Sequence, residues 1–392
     1  MLRRWRMSGW MGDNLVAMGK LNRRDFLVHA SAATLAAAAT SALAIEQTQR
    51  VFVGTGTPNG ILAFDWHPAS GELTQSGVAA QLTTVDWVTY SPDRRFLYAA
   101  CEVDSFNGKP TGEVASFAVK DGALQALSAE NSAGPGTCHV AIDHTGRVLL
   151  SADYGGGSAA SYRVTEGKLS PLVWSEHYTE HGPNKERQTS AHAHFASFSP
   201  DNRFAYINDL GGDCLHIYAL NAATAELTRA GIYRAQPGAG CRTLHFHPNG
   251  HTAYCMNELN STVDVLHLNK SDGALRRLAT IELLPEGYRG PTRACDTVIT
   301  RDGRFVYFAN RDNDFLYSFH ADMETGTLTP MKRSNCGGKI PRNFVLDPTE
   351  RWMLVANQDS NNITVFARNV ETGKLADQGK AFAVTTPMCI LF

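Results

Sequence analysis

Two short sequence signals recur along this chain about every 50 residues, and this repeat constrains the fold more than any other feature. The first signal is a polar turn followed by a short apolar run, and its copies begin at Ser91, Asp143, Ser199, His247, Thr300 and Asp347. The second is a small residue, usually glycine, with leucine two positions later, and its copies begin at Gly71, Gly122, Gly167, Ala225, Gly273, Gly326 and Gly373. Apolar or alternating runs of four to eight residues lie between these turns, which indicates β-strands joined by tight turns.

Seven such units, each with about four short strands, predict an all-β fold, a seven-bladed β-propeller. A linear solenoid is the alternative, but it would need polar capping repeats, and none is visible in the sequence. The chain begins with the outer part of a unit, and its last residues, 386–392, resemble the inner strand of the other units. We therefore expect the C-terminal strand to complete the first blade and to leave no open sheet edge.

The first 44 residues do not follow the repeat and have the pattern of an export signal. Residues 21–27 (LNRRDFL) contain the twin-arginine pair Arg23 and Arg24, and an alanine-rich stretch and an Ala42-Leu43-Ala44 cleavage pattern follow. The apolar stretch is too short for a membrane span, and a cytosolic N-terminal helix is the alternative. The sequence predicts a cleaved signal peptide over 1–44, a single propeller domain over 45–392, no membrane span in the mature chain, and a periplasmic location.

The charge and the cysteines of the mature chain exclude several classes of protein. Residues 1–44 hold six of the 36 basic and two of the 38 acidic residues, so the mature chain has a formal charge of −6. A mildly acidic surface argues against nucleic acid or an anionic membrane as partner. The eight cysteines form no C-x-x-C pair and mostly lie in apolar runs, so we expect free, buried thiols.

Superposing the units on the repeat places equivalent residues in two rings around the propeller axis. One residue of each inner strand should face the central channel, and we call this set the inner ring: Asp86, Cys138, His194, Arg242, Cys295, Arg342 and Met388. The far end of the next, antiparallel strand returns to the same face of the disc, and its residues form the outer ring: Glu102, Tyr154, Leu210, Glu258, Arg311 and Gln358.

A histidine, two arginines and a carboxylate should therefore converge at one mouth of the channel: His194, Arg242, Arg342 and Glu258. Arginine binds carboxylate or phosphate through two parallel hydrogen bonds. Histidine or glutamate can act as a general acid or base near neutral pH. The rings thus predict a site for an anionic small molecule, and the alternative is a set of polar side chains that only lines a wet channel.

Other features indicate neither a metal nor a cofactor. His192 and His194 form a His-x-His pair, but no third metal ligand is evident beside them. The run Gly155-Gly156-Gly157 is more typical of a hairpin turn than of a phosphate-binding loop, because no helix follows it. His139 adjoins Cys138 of the inner ring and is a further candidate for the mouth.

Short motifs spread over residues 50–392 are shared with one family. They are Val53-Gly-Thr, His139-Val-Ala-Ile-Asp, Asp153-Tyr-Gly-Gly-Gly-Ser, Gly182-Pro-Asn with Arg187-Gln188, His192-Ala-His194, Gly240-Cys-Arg242, Asn257-Glu258-Leu-Asn-Ser, Asn310-Arg311 and Pro341-Arg342-Asn343-Phe344. With them the chain resembles the seven-bladed lactonase family that includes bacterial 6-phosphogluconolactonases and fungal carboxymuconate lactonizing enzymes.

The resemblance implies a metal-independent active site without a cofactor. His194, Arg242, Glu258 and Arg342 match the functional residues of the lactonizing branch, and further motif residues are expected to bind substrate: His139, Arg187, His192, Arg311 and Asn343. The chain departs from the family pattern at residues 240–243, which read Gly-Cys-Arg-Thr where similar proteins usually read Gly-Pro-Arg-His. Thr243 therefore stands in place of a histidine.

The leading hypothesis is a lactonase that hydrolyses a sugar-acid lactone, with Glu258 or His194 activating water and the arginines holding the anionic group. Export suggests an unphosphorylated aldonolactone as substrate, because sugar phosphates are cytosolic. One alternative is a cycloisomerase acting on a muconate-like diacid, whose two carboxylates would suit two arginines. The other is a non-catalytic propeller that binds an anionic sugar or a protein partner.

Overall fold

Each repeat unit of the sequence folds into one four-stranded antiparallel sheet, because its apolar runs form strands and its polar turns reverse the chain. The computed structural model describes residues 47–392, so the predicted signal peptide lies outside the described residues. The described part contains 28 strands in seven sheets and no helix, which confirms the seven-bladed β-propeller. Within it, therefore, no helix is available to span a membrane.

The strands follow one another in chain order with short connections. Their bounds are β1 (Gln49–Thr55), β2 (Ile61–His67), β3 (Glu72–Ala80), β4 (Val85–Tyr90), β5 (Phe96–Cys101), β6 (Glu113–Lys120), β7 (Ala123–Asn131), β8 (Thr137–Ile142), β9 (Val148–Asp153), β10 (Ser158–Thr165), β11 (Lys168–His177), β12 (Ala193–Phe198), β13 (Phe204–Asp209), β14 (Cys214–Asn221), β15 (Glu226–Arg234), β16 (Cys241–Phe246), β17 (Thr252–Asn257), β18 (Thr262–Leu268), β19 (Leu275–Glu282), β20 (Ala294–Ile299), β21 (Phe305–Asn310), β22 (Phe315–Ala321), β23 (Leu328–Asn335), β24 (Pro341–Leu346), β25 (Trp352–Asn357), β26 (Asn362–Arg368), β27 (Leu375–Ala383) and β28 (Pro387–Leu391).

The C-terminal strand closes the ring, as predicted. Strand β28 pairs antiparallel with β1, with Val53 opposite Ile390, and gives the first blade the order β28-β1-β2-β3. Trp66 of this blade packs edge-on against Trp352 of the last blade, with ring centroids 6.0 Å apart. The indole nitrogen of Trp352 also donates a 2.8 Å hydrogen bond to the carbonyl of Pro68. This seam joins the first and last blades of the part of the chain that the structure describes.

The second sequence signal marks the turn between the two outermost strands of every blade. All seven of its small residues have positive φ, from 66° at Ala225 to 77° at Gly273. Glycine occupies six of the seven positions because this left-handed backbone conformation costs an L-residue about 1–2 kcal/mol. The recurrence of glycine in the sequence thus follows from the backbone conformation of these turns.

The apolar core lies between neighbouring blades, where facing strands bury their side chains in seven clusters. All eight cysteines are buried and free, which confirms the expectation from the sequence. The unit formed by Thr48–Phe392 is therefore held together by packing rather than by disulfides.

Candidate active site at the channel mouth

Every inner strand carries a pairing irregularity at or beside its inner-ring residue. The pairing register shifts there in β4, β8, β12, β16, β20, β24 and β28. A β-bulge bends the strand and re-aims the side chain of the extra residue. All seven inner-ring residues line one cavity of about 20 Å³, so the predicted inner ring is present. The cavity has room for about one water molecule.

Glu258 is the centre of the charge cluster at this level. The side chain is fully buried, and its two oxygens contact three guanidinium groups. Arg187 donates to Oε1 at 2.8 Å, Arg242 donates to Oε2 at 2.5 Å, and the Nη2 atom of Arg311 lies 2.7 Å from Oε2. One inner-ring residue, one outer-ring residue and one residue of the long loop before β12 therefore meet around the carboxylate of Glu258, which itself belongs to the outer ring.

The arginines keep this carboxylate ionised. Burial alone would raise the pKa of Glu258, but the charges of Arg311 and Arg242 outweigh burial and hold the pKa well below its usual range. Burial lowers the pKa of Arg311 to about 10, so that guanidinium remains charged at neutral pH. An anion enclosed by three cations binds a proton poorly, which makes Glu258 a weak base in this arrangement.

His194 is neutral and is held by Arg242. The Nη1 atom of Arg242 lies 2.5 Å from Nε2 of His194. A guanidinium can only donate, so Nε2 is the acceptor and Nδ1 carries the proton. Burial and the charge of Arg242 lower the pKa of His194 well below its usual value. The Nδ1 atom is buried and has no hydrogen-bond partner among the described residues.

A second charge cluster lies on the other side of the ring, around Arg342. Its Nη2 atom donates to Asp86 at 2.5 Å and lies 4.0 Å from Glu102, and its Nη1 atom is 3.4 Å from the side-chain oxygen of Gln358. Burial and the carboxylate of Asp86 raise the pKa of Glu102 to about 7. The Glu102 side chain is 34% exposed, so it is a carboxyl group within reach of solvent that titrates near neutral pH.

Arg187 and His192 lie at the outer, partly exposed edge of the site, which we call the rim. Tyr154 contacts both of them there. Arg187 donates to the Tyr154 hydroxyl at 3.0 Å, and the His192 ring stacks on the Tyr154 ring at 4.3 Å. The Nδ1 atom of His192 is 2.8 Å from the carbonyl oxygen of Tyr154. Both of these predicted residues are partly exposed, and they therefore border the space above the inner ring.

Two further predicted residues, His139 and Asn343, belong to neither charge cluster. His139 is buried, with its ring 3.8 Å from that of Phe195 and its Nδ1 atom accepting from the backbone nitrogen of Ala196. Asn343 uses both ends of its amide, donating to Asp296 at 2.7 Å and accepting from the backbone nitrogen of Ile390 at 2.8 Å. The structure thus places His139 in the cavity wall, and it places Asn343 in a contact between neighbouring inner strands.

Asp86 and Glu102 belonged to the two predicted rings but were not among the candidate residues. Nothing in the sequence places these two carboxylates beside Arg342, since the contact joins residues 256 positions apart. Thr243, at the position where similar proteins carry histidine, is buried beside the same cavity, and its hydroxyl has no partner among the described residues.

The geometry separates the site into an inner floor and an outer rim. The cavity at the inner ring is too small for a sugar lactone, so an organic ligand has to sit above the ring. Above the ring lie the partly exposed side chains of Arg187, Arg342, Glu102 and His192. Two guanidinium groups and a carboxyl group with a pKa near 7 suit binding a polarised carbonyl and transferring a proton beside it.

Comparison with known proteins places the chain in a family. The family model described as Lactonase, 7-bladed beta-propeller matches residues 50–392. The chain is 32% identical over 347 residues to a 6-phosphogluconolactonase of Bacillus subtilis, covering 87% of this chain and 97% of that protein. It is 32% identical over 337 residues to a 6-phosphogluconolactonase of Formosa agariphila, covering 83% of this chain and 94% of that protein.

A solved structure agrees with these relatives. The periplasmic gluconolactonase PpgL of Pseudomonas aeruginosa superposes with a TM-score of 0.81 at 30% identity, covering 88% of this chain and 99% of that one. The whole propeller is therefore matched in both sequence and fold. The chain belongs to the seven-bladed β-propeller lactonase family.

Proposed function

We propose that the protein is an exported lactonase that hydrolyses a sugar-acid lactone at the channel mouth. The observation that carries the proposal is the rim itself, where Glu102 has a pKa of about 7 beside the guanidinium of Arg342. Relatives named as 6-phosphogluconolactonases and as a periplasmic gluconolactonase support the reaction class.

In the proposed reaction, Arg342 and Arg187 hold the lactone above the inner ring. Glu102 takes a proton from water while the water oxygen adds to the lactone carbonyl. The guanidinium groups stabilise the resulting oxyanion. The ring C–O bond then breaks, and the leaving oxygen receives the proton from Glu102. The product is the open-chain hydroxy acid, and no metal or cofactor is needed for this proton balance.

His194, Arg242 and Glu258 act as positioning residues in this scheme. Glu258 is fully buried and contacts Arg187 directly, so it fixes the guanidinium that faces the substrate. His194 and Arg242 hold the floor of the site through their mutual contact. The sequence-based hypothesis gave the role of base to Glu258 or His194, whereas the burial of both side chains favours Glu102.

We further propose an unphosphorylated aldonolactone as the substrate. The four arginines nearest the inner ring each have a carboxylate partner, which for Arg187, Arg242 and Arg311 is Glu258 and for Arg342 is Asp86. A phosphate dianion would compete with this carboxylate partner for the guanidinium. A neutral lactone needs only hydrogen bonds to the exposed faces of the same groups.

The test is a pH-indicator assay of the purified mature protein on gluconolactone, 6-phosphogluconolactone and other aldonolactones, corrected for spontaneous ring opening. We expect turnover that is fastest on an unphosphorylated lactone. Glu102→Gln should lower kcat by about 100-fold or more, while Glu72→Gln on the exposed surface should not change it. No turnover on any lactone would refute the proposal. Full activity in Glu102→Gln would refute the assigned base alone.

A further inference from the structure

A second cluster of polar side chains lies in the fourth blade, outside the channel cavity. Asp209 ends β13, Cys214 begins β14 directly opposite it, and His216 follows two residues later on the same face. All three side chains are buried, and one potential metal-binding atom from each lies within 4.8 Å of the others. Glu180, from the loop between β11 and β12, brings its Oε2 atom to 3.9 Å from Nε2 of His216.

The two carboxylates face His216 without forming ordinary hydrogen bonds to it. Oδ2 of Asp209 is 3.7 Å from Nε2 of His216, beyond the usual N–H···O range. The same Oδ2 atom is buried and has no hydrogen-bond partner among the described residues. A buried carboxylate oxygen without a partner is costly, so a cation beside Oδ2 would be stabilising.

The spacing fits one divalent cation. With Zn–S and Zn–N bonds of about 2.3 and 2.1 Å, a tetrahedral site sets sulfur and nitrogen about 3.6 Å apart. The Sγ atom of Cys214 lies 3.6 Å from Nε2 of His216. A thiolate, an imidazole and carboxylate oxygens together form a donor set that suits zinc. We propose that Asp209, Cys214 and His216, with Glu180 as fourth ligand, form a structural zinc site.

The surroundings keep this space open and orient the ligands. A Cβ atom on Gly212 would lie 2.5 Å from Oδ2 of Asp209, so glycine leaves room beside the carboxylate. The ring of Tyr178 stacks on the imidazole of His216, with centroids 3.9 Å apart and planes 6° from parallel. Glu180 is 24% exposed, so the cluster reaches the protein surface at this side chain.

A cation bound at this site would stabilise the start of β12, the strand that carries His194. The Oδ1 atom of Asp209 accepts a 2.8 Å hydrogen bond from the backbone nitrogen of His192, at the entry to β12. A cation on Oδ2 would fix this carboxylate and with it the end of the long loop. None of the proposed ligands lines the channel cavity, so the zinc would stabilise the fold and take no part in hydrolysis.

A cluster of His216 with the two carboxylates, without a metal, is the competing explanation. That cluster leaves Cys214 only its 3.6 Å contact with His216, whereas a cation bound here would take the sulfur as a thiolate ligand. The sequence predicted no metal, because no third ligand is evident beside His192 and His194 and the cysteines form no C-x-x-C pair. Asp209, Cys214 and His216 likewise follow no familiar zinc spacing.

The first experiment measures metal binding by the wild-type mature protein, without an activity readout. The protein is freed of metal with a chelator, and Co²⁺ is then titrated in as a spectroscopic substitute for Zn²⁺. We expect one equivalent per chain, a thiolate-to-cobalt charge-transfer band in the near ultraviolet, loss of the band when Zn²⁺ is added, and a higher Tm with Zn²⁺. No band and no change in Tm would overturn the proposal, whatever the lactonase assay shows.

Matched variants identify the ligands. Cys214→Ala should abolish the charge-transfer band, whereas Cys101→Ala, at another buried free thiol, should retain it. Asp209→Asn keeps an oxygen for the His192 hydrogen bond and removes the anionic ligand atom, so it should fold and bind Co²⁺ at least tenfold more weakly. A charge-transfer band that persists in Cys214→Ala, or unchanged affinity in Asp209→Asn, would also overturn the assignment.

Discussion

Replacing Glu258 by glutamine tests whether the buried carboxylate holds the arginines of the site together. The substitution keeps the shape of the side chain and one acceptor oxygen but leaves three guanidinium groups around a neutral amide. At an effective dielectric constant of about 20, each contact near 2.7 Å contributes roughly 6 kcal/mol of gross attraction. Desolvation and repulsion among the arginines offset most of that, and removing one partner from a buried ion pair typically costs about 3–5 kcal/mol.

The assay is the change in Tm between the variant and the wild type. With an unfolding entropy of about 2.1 cal/mol/K per residue over roughly 345 residues, a loss of 3–5 kcal/mol lowers Tm by about 4–7 °C. Glu72→Gln is the control, because Glu72 pairs with Lys380 on the surface and an exposed pair is worth about 0–1 kcal/mol. Arg311→Met in the Glu258→Gln background should recover part of the loss, since it removes one unpaired cation.

The pH dependence gives a second check of the same reasoning. A carboxylate whose pKa is depressed in the folded state stabilises the protein above its unfolded pKa, and it loses that contribution only as the pH falls through the folded pKa. The folded pKa of Glu258 lies below its usual range, so the Tm gap between wild type and variant should persist at pH 5 and narrow only at more acidic pH. A gap below about 1 °C at pH 7, or additive effects of the two substitutions, would refute the argument.

Three further predictions address the rim, the fold and export. Because Glu102 has a pKa of about 7, we expect the kcat of the wild type to rise as the pH increases through this value. The pH–rate profile of Glu102→Gln should lack this inflection, and a retained inflection would mean that another group causes it. The same raised pKa weakens the fold as pH rises from about 4 to 7, so Glu102→Gln should melt at a higher temperature than wild type at pH 8. Gly273→Ala should lower the free energy of unfolding by about 1–3 kcal/mol, because φ is +77° and the new methyl group would lie 2.6 Å from an aromatic ring. The control is Ala225→Gly at the equivalent turn, which should change the free energy of unfolding by no more than about 1 kcal/mol in thermal melts. Changing Arg23 and Arg24 to lysine should keep the protein in the cytoplasm with its N-terminus intact, which fractionation and mass measurement would reveal; unchanged periplasmic delivery would contradict the proposed signal.

The fold could be predicted because the residues that recur in every unit are selected by local backbone geometry and by burial. A turn that needs positive φ selects glycine, as at Gly71 and Gly373, and an inner strand buried between blades selects apolar residues. Both signals recur at the same place in every unit, so the number of blades and the closing strand follow from counting. The inner ring could be predicted for the same reason, since one position of the repeat carries the bulge in every blade.

The partners within the site could not be predicted, because they depend on distances across the ring. The sequence brought Arg342 and Glu258 to one mouth, but it did not show that Arg342 pairs with Asp86, or that Glu258 is enclosed by arginines. Nor does the spacing show that the side-chain amide of Asn343, one residue beyond the inner ring, forms hydrogen bonds with two neighbouring strands. The partial burial of Glu102, which raises the pKa of its carboxyl group, likewise depends on the folded ring and could not be predicted from the sequence.

The charge pairs at the mouth link blades that are distant in sequence. Arg242 and Glu258 belong to the fifth blade, Arg311 to the sixth, and Arg342 of the seventh reaches Asp86 of the second. Arg342 and Asp86 belong to the two blades on either side of the first blade, which β28 completes, so this contact spans the closure of the ring. The arginines are then held by carboxylates before any substrate arrives, and no reorganisation of the protein is needed when negative charge develops on a lactone carbonyl. Closure of the propeller thus brings Arg342 and Asp86 together, and the pairing of β28 with β1 serves the proposed site as well as the fold.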